Sequence, residues 1–171
     1  ALIMSILISP MIVPLIITAA GMFFFYARIN LVYTFTGVIL AHVALATPFV
    51  VITVTATLVG FDMNMVKAAQ SLGARPIRTF FKVIMPLILP GIISGALFAF
   101  ITSFDEVVIV MFMASIDQLT IPKQMWAGIR QEISPVILCM ATCLVILSIV
   151  LLTTVELLRR RSERLRGIKS R

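Results

Sequence analysis

Four long stretches without an Asp, Glu, Lys or Arg residue decide what this chain can fold into. They run from Ala1 to Ala27, Leu31 to Phe61, Val83 to Phe104 and Ser134 to Val155. Each is long enough for a membrane-spanning helix, which needs roughly 20 apolar residues. At 61% hydrophobic residues the chain is also too apolar for a soluble domain. We therefore predict an all-α integral membrane protein, a single transmembrane domain over 1–171 with spans at approximately 1–27, 33–60, 84–114 and 135–157.

The basic residues predict the orientation of these spans. Half of the 14 Lys and Arg residues lie between Arg159 and Arg171, and this excess predicts a basic cytoplasmic tail at 158–171. The loop at 61–83 then also faces the cytoplasm, in agreement with its four cations and one acid: Lys67, Arg75, Arg78, Lys82 and Asp62. The outer connections hold Arg28 and a balanced group of Asp117, Lys123, Arg130 and Glu132. Nucleic-acid binding is not expected, because the excess charge lies beside membrane spans, where lipid and orientation explain it.

Two features of the spans predict close packing or bending. Small residues recur every four positions in the third span, which makes a shallow groove for another helix: Gly91, Gly95, Ala99 and Ser103. The sequence leaves open whether that helix belongs to this chain or to a second subunit. Pro10 and Pro14, one turn apart, predict a kink or break in the first span. Both a fixed packing kink and a bend that moves during function are compatible with this pattern.

Three titratable residues are candidates for a substrate path: His42, Asp105 and Glu106. A helix that rises about 1.5 Å per residue puts Asp105 near the outer boundary of the membrane. The two carboxylates either attract a cation there or bond exposed backbone at the helix end. His42 is either functional or a neutral imidazole bonded to a neighbouring carbonyl. We expect no catalytic residue and no metal site, because no nucleophile or ligand set accompanies these groups, and Cys139 and Cys143 are interpreted as packing residues.

Trp126 lies in an outer connection, with Met125, Ile129 and Ile133 at helical spacing. This pattern predicts a short amphipathic helix in the membrane interface, where indole is favoured. Simple anchoring and a docking surface for an external partner are both open interpretations.

The cytoplasmic loop carries its own helix signals. Asp62 is a suitable N-cap for a helix from Met63 to Leu72, and Gly73 is the residue type that ends a helix in a left-handed turn. Its apolar stripe consists of Met63, Val66, Ala69 and Leu72, and Ala68 keeps the adjoining face shallow. A helix of about ten residues is marginal alone in water. We therefore expect another surface to cover it.

The same loop carries a family resemblance. "KAAQSLG", then nine residues, then "VIMP" resembles the loop signature of permease subunits of binding-protein-dependent ATP-binding cassette (ABC) importers, written E-A-A, three residues, G, nine residues, I-x-L-P. Ala68, Ala69, Gly73 and Pro86 fit, Asp62 matches the usual upstream acid, and Lys67 departs from the usual Glu. The reversed charge implies either a compensating acidic partner or a solvent-exposed position. The span sequences as a whole look like the last four spans of the spermidine/putrescine-type subfamily.

This resemblance implies a role for each part. The chain is expected to be a non-catalytic permease subunit of the bacterial inner membrane, with four of the family's usual six spans. Its short loop helix is then the coupling helix, seated on an ATPase: Asp62, Met63, Val66, Lys67, Ala68, Ala69, Leu72, Gly73 and Pro86. The implied partners are two ATPase subunits, a second permease chain or a copy of this one, an external binding protein and membrane lipid. ATP and Mg²⁺ are expected on the ATPase, with no cofactor in this chain.

The substrate follows less directly from the sequence. A polyamine such as putrescine or spermidine, or another small cation, fits Asp105 and Glu106 as cation attractors. Two other functions remain open. An ion-coupled secondary transporter would need intramembrane charges, for which His42 is the available residue. A structural membrane subunit would leave the loop signature without a purpose.

Overall fold

The structure, a computed structural model, describes residues 2–131 and 135–165. Every regular element in these ranges is helical. In chain order they are α1 Leu2–Ile12, α2 Leu15–Arg28, α3 Phe35–Val59, α4 Met63–Ser71, α5 Pro76–Thr79, a π-helical turn Phe80–Ile84, α6 Met85–Phe104, α7 Val108–Met113, α8 Ile121–Gln131 and α9 Pro135–Leu165. The predicted all-α class is confirmed for the described residues. Positions 166–171 of the predicted basic tail lie outside them, as do Glu132 and Ile133.

Three helical stretches are long and apolar enough to cross a membrane: Phe35–Val59, Pro76–Phe104 and Pro135–Thr154. The predicted first span, 1–27, is not one continuous helix in the structure. It consists of α1 and α2, which meet at a bend of 109°. Pro14 directly precedes α2 with φ −53° and ψ 131°, an extended conformation that a continuing helix does not allow. Residues 2–131 and 135–165 thus contain three candidate spans, or four if the bent pair is one span.

The antiparallel pair α3 and α6 is the centre of the fold, and glycine makes its close contact. A Cβ built on Gly91 would meet the hydroxyl oxygen of Thr57, and one built on Gly95 would meet that of Thr53. Both threonines bond carbonyls of their own helix, Thr57 to Thr53 at 2.9 Å and Thr53 to Phe49 at 2.9 Å. The small-residue groove predicted from the sequence therefore receives α3 of the same chain.

The predicted third span, 84–114, has different limits in the structure. The helical stretch begins at Pro76, which occupies a first-turn position where its missing N–H costs nothing. It passes through the π-helical turn, where the Met85 N–H reaches back to the carbonyl of Phe80. Pro86 explains this wider turn, because proline cannot donate to the carbonyl four residues earlier. The stretch ends at Phe104, and α7 follows as a separate short helix.

The buried core lies at one end of the α3–α6 pair, which we call the α7 end. Ala19 of α2, Ala41 of α3 and Ile109 and Met113 of α7 are fully buried there. A backbone bond from the Tyr33 N–H to the Met113 carbonyl, 2.9 Å, ties the α2–α3 connection to α7. The opposite end of the pair, where α4 joins α3 to α5, is called the α4 end.

Helices α8 and α9 surround this centre loosely. In the most apolar part of α9, Pro135–Thr154, no residue is buried. Cys139 and Cys143 are exposed there as free thiols. Helix α8 carries Trp126, half-exposed, and Gly128 faces Ile137 of α9. An apolar surface of this kind suits contact with lipid or with other membrane helices.

Candidate functional site at the two ends of the α3–α6 pair

At the α4 end, residues Asp62–Gly73 form a unit that we call the α4 segment. The Asp62 carboxylate accepts a hydrogen bond from the Asn64 N–H at 2.9 Å, so its predicted capping role is confirmed. Helix α4 ends at Ser71, one residue before the predicted limit. The Ser71 hydroxyl donates to the Lys67 carbonyl at 3.0 Å and Leu72 donates to that of Ala68. Local bonds thus hold the segment in one short, well-defined shape.

Gly73 fixes the exit of the α4 segment. Its φ is +81°, in the left-handed region, as the sequence predicts for this position. A Cβ added there would meet nothing within 4 Å. The need for glycine is therefore conformational, because the space around it is open. Its N–H bonds the Gln70 carbonyl at 2.9 Å, which closes the end of the helix.

Only part of the predicted apolar stripe is covered by the chain itself. Val66 is buried, and Ala69 is half-buried. Met63 and Leu72 are 60% and 89% exposed, so the chain leaves this part of the stripe for another surface to cover. Further apolar side chains extend this open surface beyond the stripe: Met65, Ile77, Phe80 and Phe81. Lys67 and Ala68 are exposed beside them. The α4 segment thus presents an uncovered apolar surface on a helix that is short and fixed at both ends.

The α7 end brings together the three titratable candidates. His42 Nδ1 and Ser103 Oγ share a hydrogen bond of 2.8 Å, which joins α3 to α6. Glu106 follows Ser103 by three residues and lies at the same end of the α3–α6 pair. His42 therefore has a partner within the protein, a hydroxyl and not the carbonyl that the sequence suggested. Seven residues from the start of α3, it lies about 10 Å along that helix.

The two neighbouring carboxylates have different surroundings. Glu106 is buried, and its Oε1 accepts a hydrogen bond from the Ile109 N–H at 2.6 Å in the first turn of α7. Asp105 is exposed and borders a cavity of about 340 Å³ between α6, α8 and α9. Of the two interpretations left open by the sequence, bonding of exposed backbone describes Glu106. Asp105 remains available to meet a cation.

Two further features of this region have no clear signal in the sequence. The Lys123 ammonium donates to the carbonyls of Ala114 and Ser115, at 3.4 and 3.1 Å, just past the C-terminal end of α7. The break between α1 and α2 borders a second cavity, of about 360 Å³, with Phe49 and Thr102 among its lining residues. The two prolines of the first span predicted a break, but the cavity depends on how α1 and α2 lie against α3.

Comparison with known proteins agrees with the loop signature. The family described as the inner membrane component of binding-protein-dependent transport systems matches residues 1–164. The chain is 30% identical to the spermidine/putrescine transport system permease protein PotC of Haemophilus influenzae, over 90% of this chain and 60% of that protein. For PotC of Escherichia coli K12 the identity is 30%, over 88% of this chain and 57% of the relative.

A putrescine transport system permease protein, PotI of Escherichia coli K12, is 37% identical over 60% of this chain and 37% of its own length. The chain thus spans about 60% or less of the curated relatives named here. The resemblance drawn from the loop motif is confirmed by the family match. The chain belongs to the family of inner membrane components of binding-protein-dependent transport systems, and it is similar to permeases of the spermidine/putrescine type.

Proposed function

We propose that this chain is a membrane-spanning subunit of an ATP-driven importer and that the α4 segment is its coupling helix. The observation that carries the proposal is the uncovered apolar surface of the α4 segment. Met63 and Leu72 expose most of their side chains in the connection between two candidate spans, although Val66 anchors the same short helix. Exposed apolar patches of this kind mark sites of protein–protein contact. The partner that we propose for this surface is an ATPase subunit with a complementary groove.

The packing around the α4 segment suits mechanical transmission. The segment follows α3 and precedes α5, so a force on it acts on both members of the close α3–α6 pair. A Cβ at Gly91 or Gly95 would overlap threonine hydroxyls of α3, so the two helices are in close contact at both glycines. Closely packed helices transmit displacement to each other, so we expect α3 and α6 to move together. Nucleotide binding can shift inward- and outward-open states only through differential contacts with them. A rigid connection between the docking surface and the spans would allow contacts with the ATPase to favour one of the two states.

The test compares Gly73→Val with Gly60→Val in the assembled importer. Both glycines have open space around them, but only Gly73 has a positive φ. We expect Gly73→Val to abolish most solute-stimulated ATP hydrolysis while the chain still inserts in the membrane. Gly60→Val should keep stimulated hydrolysis near the unaltered rate. Normal stimulation by an assembled Gly73→Val complex would refute the coupling role.

The proposed solute is a polyamine or another small cation. The names of the relatives, spermidine/putrescine and putrescine permeases, support this class. Asp105 supports it chemically, because an exposed carboxylate beside a cavity favours a cation. We expect Asp105→Asn to lower putrescine uptake by a reconstituted complex several-fold, and unchanged uptake would remove the cation role. Asp117→Asn, another exposed carboxylate among the connections, serves as the charge-matched control.

The further partners in this proposal are a second permease chain or a copy of this one and an external binding protein. ATP and Mg²⁺ would be held by the ATPase subunits. The proposed orientation has the α4 segment and the C-terminus in the cytoplasm of a bacterial cell, with the α7 end outside. Its support is the excess of Lys and Arg in the loop at 61–83 and after position 158.

A further inference from the structure

Helix α8 has a cationic and aromatic face beside a cavity that the proposed transport function does not use. Lys123, Trp126 and Arg130 lie three and four residues apart, so they share one face of the helix. With Ala127 and Met111 of α7 they line a cavity of about 410 Å³. Between Ile121 and Gln131 the helix has no acidic residue. The cavity therefore combines two positive groups with an apolar wall.

We propose that this cavity binds the phosphate headgroup of an anionic phospholipid, with the first part of its acyl chain against Met111 and Trp126. The position of α8 supports a lipid occupant. It immediately precedes α9, whose candidate span begins at Pro135, so α8 lies at the boundary of the membrane. Trp126 is 50% exposed there, at a level where indole anchors proteins to lipid.

The two sides of the cavity match an amphiphile. Met111 of α7 is 46% exposed, which gives an acyl chain an apolar contact. Arg130 is exposed and can donate two parallel N–H bonds to phosphate oxygens. Lys123 uses two of its three N–H groups on the Ala114 and Ser115 carbonyls, and the third suits a phosphate oxygen. An acidic protein could also supply an anion to Lys123 and Arg130. Its surface carboxylates, however, carry no acyl chain that would fill the apolar side of the cavity at Met111.

Binding at this place has a structural consequence. Lys123 connects α8 to the C-terminal end of α7, and α7 packs against α2 and α3 in the core. A phosphate that holds Lys123 in position therefore also stabilises the α7 end of the molecule. The lipid site does not depend on which solute is transported.

Trp126 is the single tryptophan of the chain, so its fluorescence reports on this site. The full chain is reconstituted in phosphatidylcholine bilayers that contain an equal fraction of either brominated phosphatidylglycerol or brominated phosphatidylcholine. Trp126→Phe supplies the background signal. We expect brominated phosphatidylglycerol to quench Trp126 more strongly, and Arg130→Gln to lower this preference about five-fold, the effect of one cation near an anionic lipid surface.

Arg28→Gln is the matched control, because Arg28 is an exposed cation at the end of α2, outside the cavity lining. It should leave the preference unchanged. Among the described residues the Arg130 side chain makes no hydrogen bond, so we do not expect Arg130→Gln to disturb the fold. Equal quenching by the two lipids, or a preference that Arg130→Gln does not alter, would overturn the lipid site. Equal quenching together with Arg130-dependent binding of polyglutamate would identify an acidic protein surface as the partner and would also overturn it.

Discussion

Two short helices lie at opposite ends of the α3–α6 pair, and they differ in where their partners are found. Helix α7 has six residues, and Ile109, Val110 and Met113 are fully buried by the chain's own helices. Helix α4 has nine residues, of which Val66 alone is buried. Both are too short to be stable in isolation. The first obtains its stability inside the molecule, and the second leaves apolar side chains for another molecule to cover.

Charged side chains follow the same division. At the α7 end, the carboxylate of Glu106 bonds the first turn of α7, and the ammonium of Lys123 bonds carbonyls past its last turn. These charges have the signs that favour the two ends of a helix dipole. At the α4 end, Lys67 is exposed, and Asp62 bonds only its own segment. Polar groups therefore stabilise the fold at one end and remain available for contact at the other.

The largest expected effect comes from separating the helix pair that supports both ends. Gly95→Leu would drive a side chain against Thr53 and the Val50 backbone, whose Cα lies 3.0 Å from an added Cβ. We expect a loss of about 3 kcal/mol in the free energy of unfolding, measured by denaturant titration in mixed micelles. Gly21→Leu is the control, since a Cβ there meets nothing within 4 Å. Equal losses in the two variants would contradict the close packing of α3 on α6.

A smaller effect is expected from the buried carboxylate at the α7 end. Glu106→Ala leaves the Ile109 N–H without its acceptor, at an expected cost of about 2 kcal/mol in the same unfolding measurement. Asp105→Ala, the exposed neighbour, should change the free energy of unfolding by less than about 0.5 kcal/mol. If both substitutions cost the same, the division of roles between the two carboxylates is wrong.

The corresponding change at the α4 end is weaker and local. Asp62→Ala removes an exposed cap, which costs about 1 kcal/mol of helix stability. Hydrogen exchange should become faster in residues 63–73 and stay unchanged in α7. Faster exchange that extends to Ile109 and Met113 would mean that the two ends are one cooperative unit, and it would contradict their independent stabilisation.

The smallest effect on stability is expected for Leu72→Ser. Leu72 is 89% exposed, so its replacement should alter the free energy of unfolding by less than about 0.5 kcal/mol. The same variant should weaken association with the ATPase in co-purification from mild detergent, because an apolar contact is lost. A stability loss above 1 kcal/mol, with association intact, would assign Leu72 to the fold and not to docking.

Sequence reasoning was most successful where the signal is local. The cap at Asp62, the left-handed Gly73 and the groove of Gly91 and Gly95 follow from residue types at fixed spacing. The apolar stretches similarly predicted where long helices lie, and Pro10 and Pro14 predicted a break in the first, although not its angle of 109°. Hydropathy averages over such a stretch and does not register the direction of the chain within it.

Contacts between residues far apart in the sequence could not be predicted from local patterns. The bond between His42 and Ser103 spans 61 positions, and the Lys123 bonds depend on how α8 folds back on α7. A continuous apolar run also hid the end of α6 at Phe104, because the residues of α7 are as apolar as a span. The adjacent carboxylates looked equivalent in the sequence. Only the three-dimensional arrangement assigns Glu106 to α7 and leaves Asp105 exposed.

The central claim is that an ATPase covers the apolar surface of the α4 segment. A single thiol at Leu72→Cys, with Cys139 and Cys143 replaced by Ser, allows its accessibility to a water-soluble maleimide to be measured in the assembled importer. The account predicts rapid labelling of the permease alone and strong protection when the ATPase subunits are bound. Equally rapid labelling in a complex that shows solute-stimulated ATP hydrolysis would contradict it.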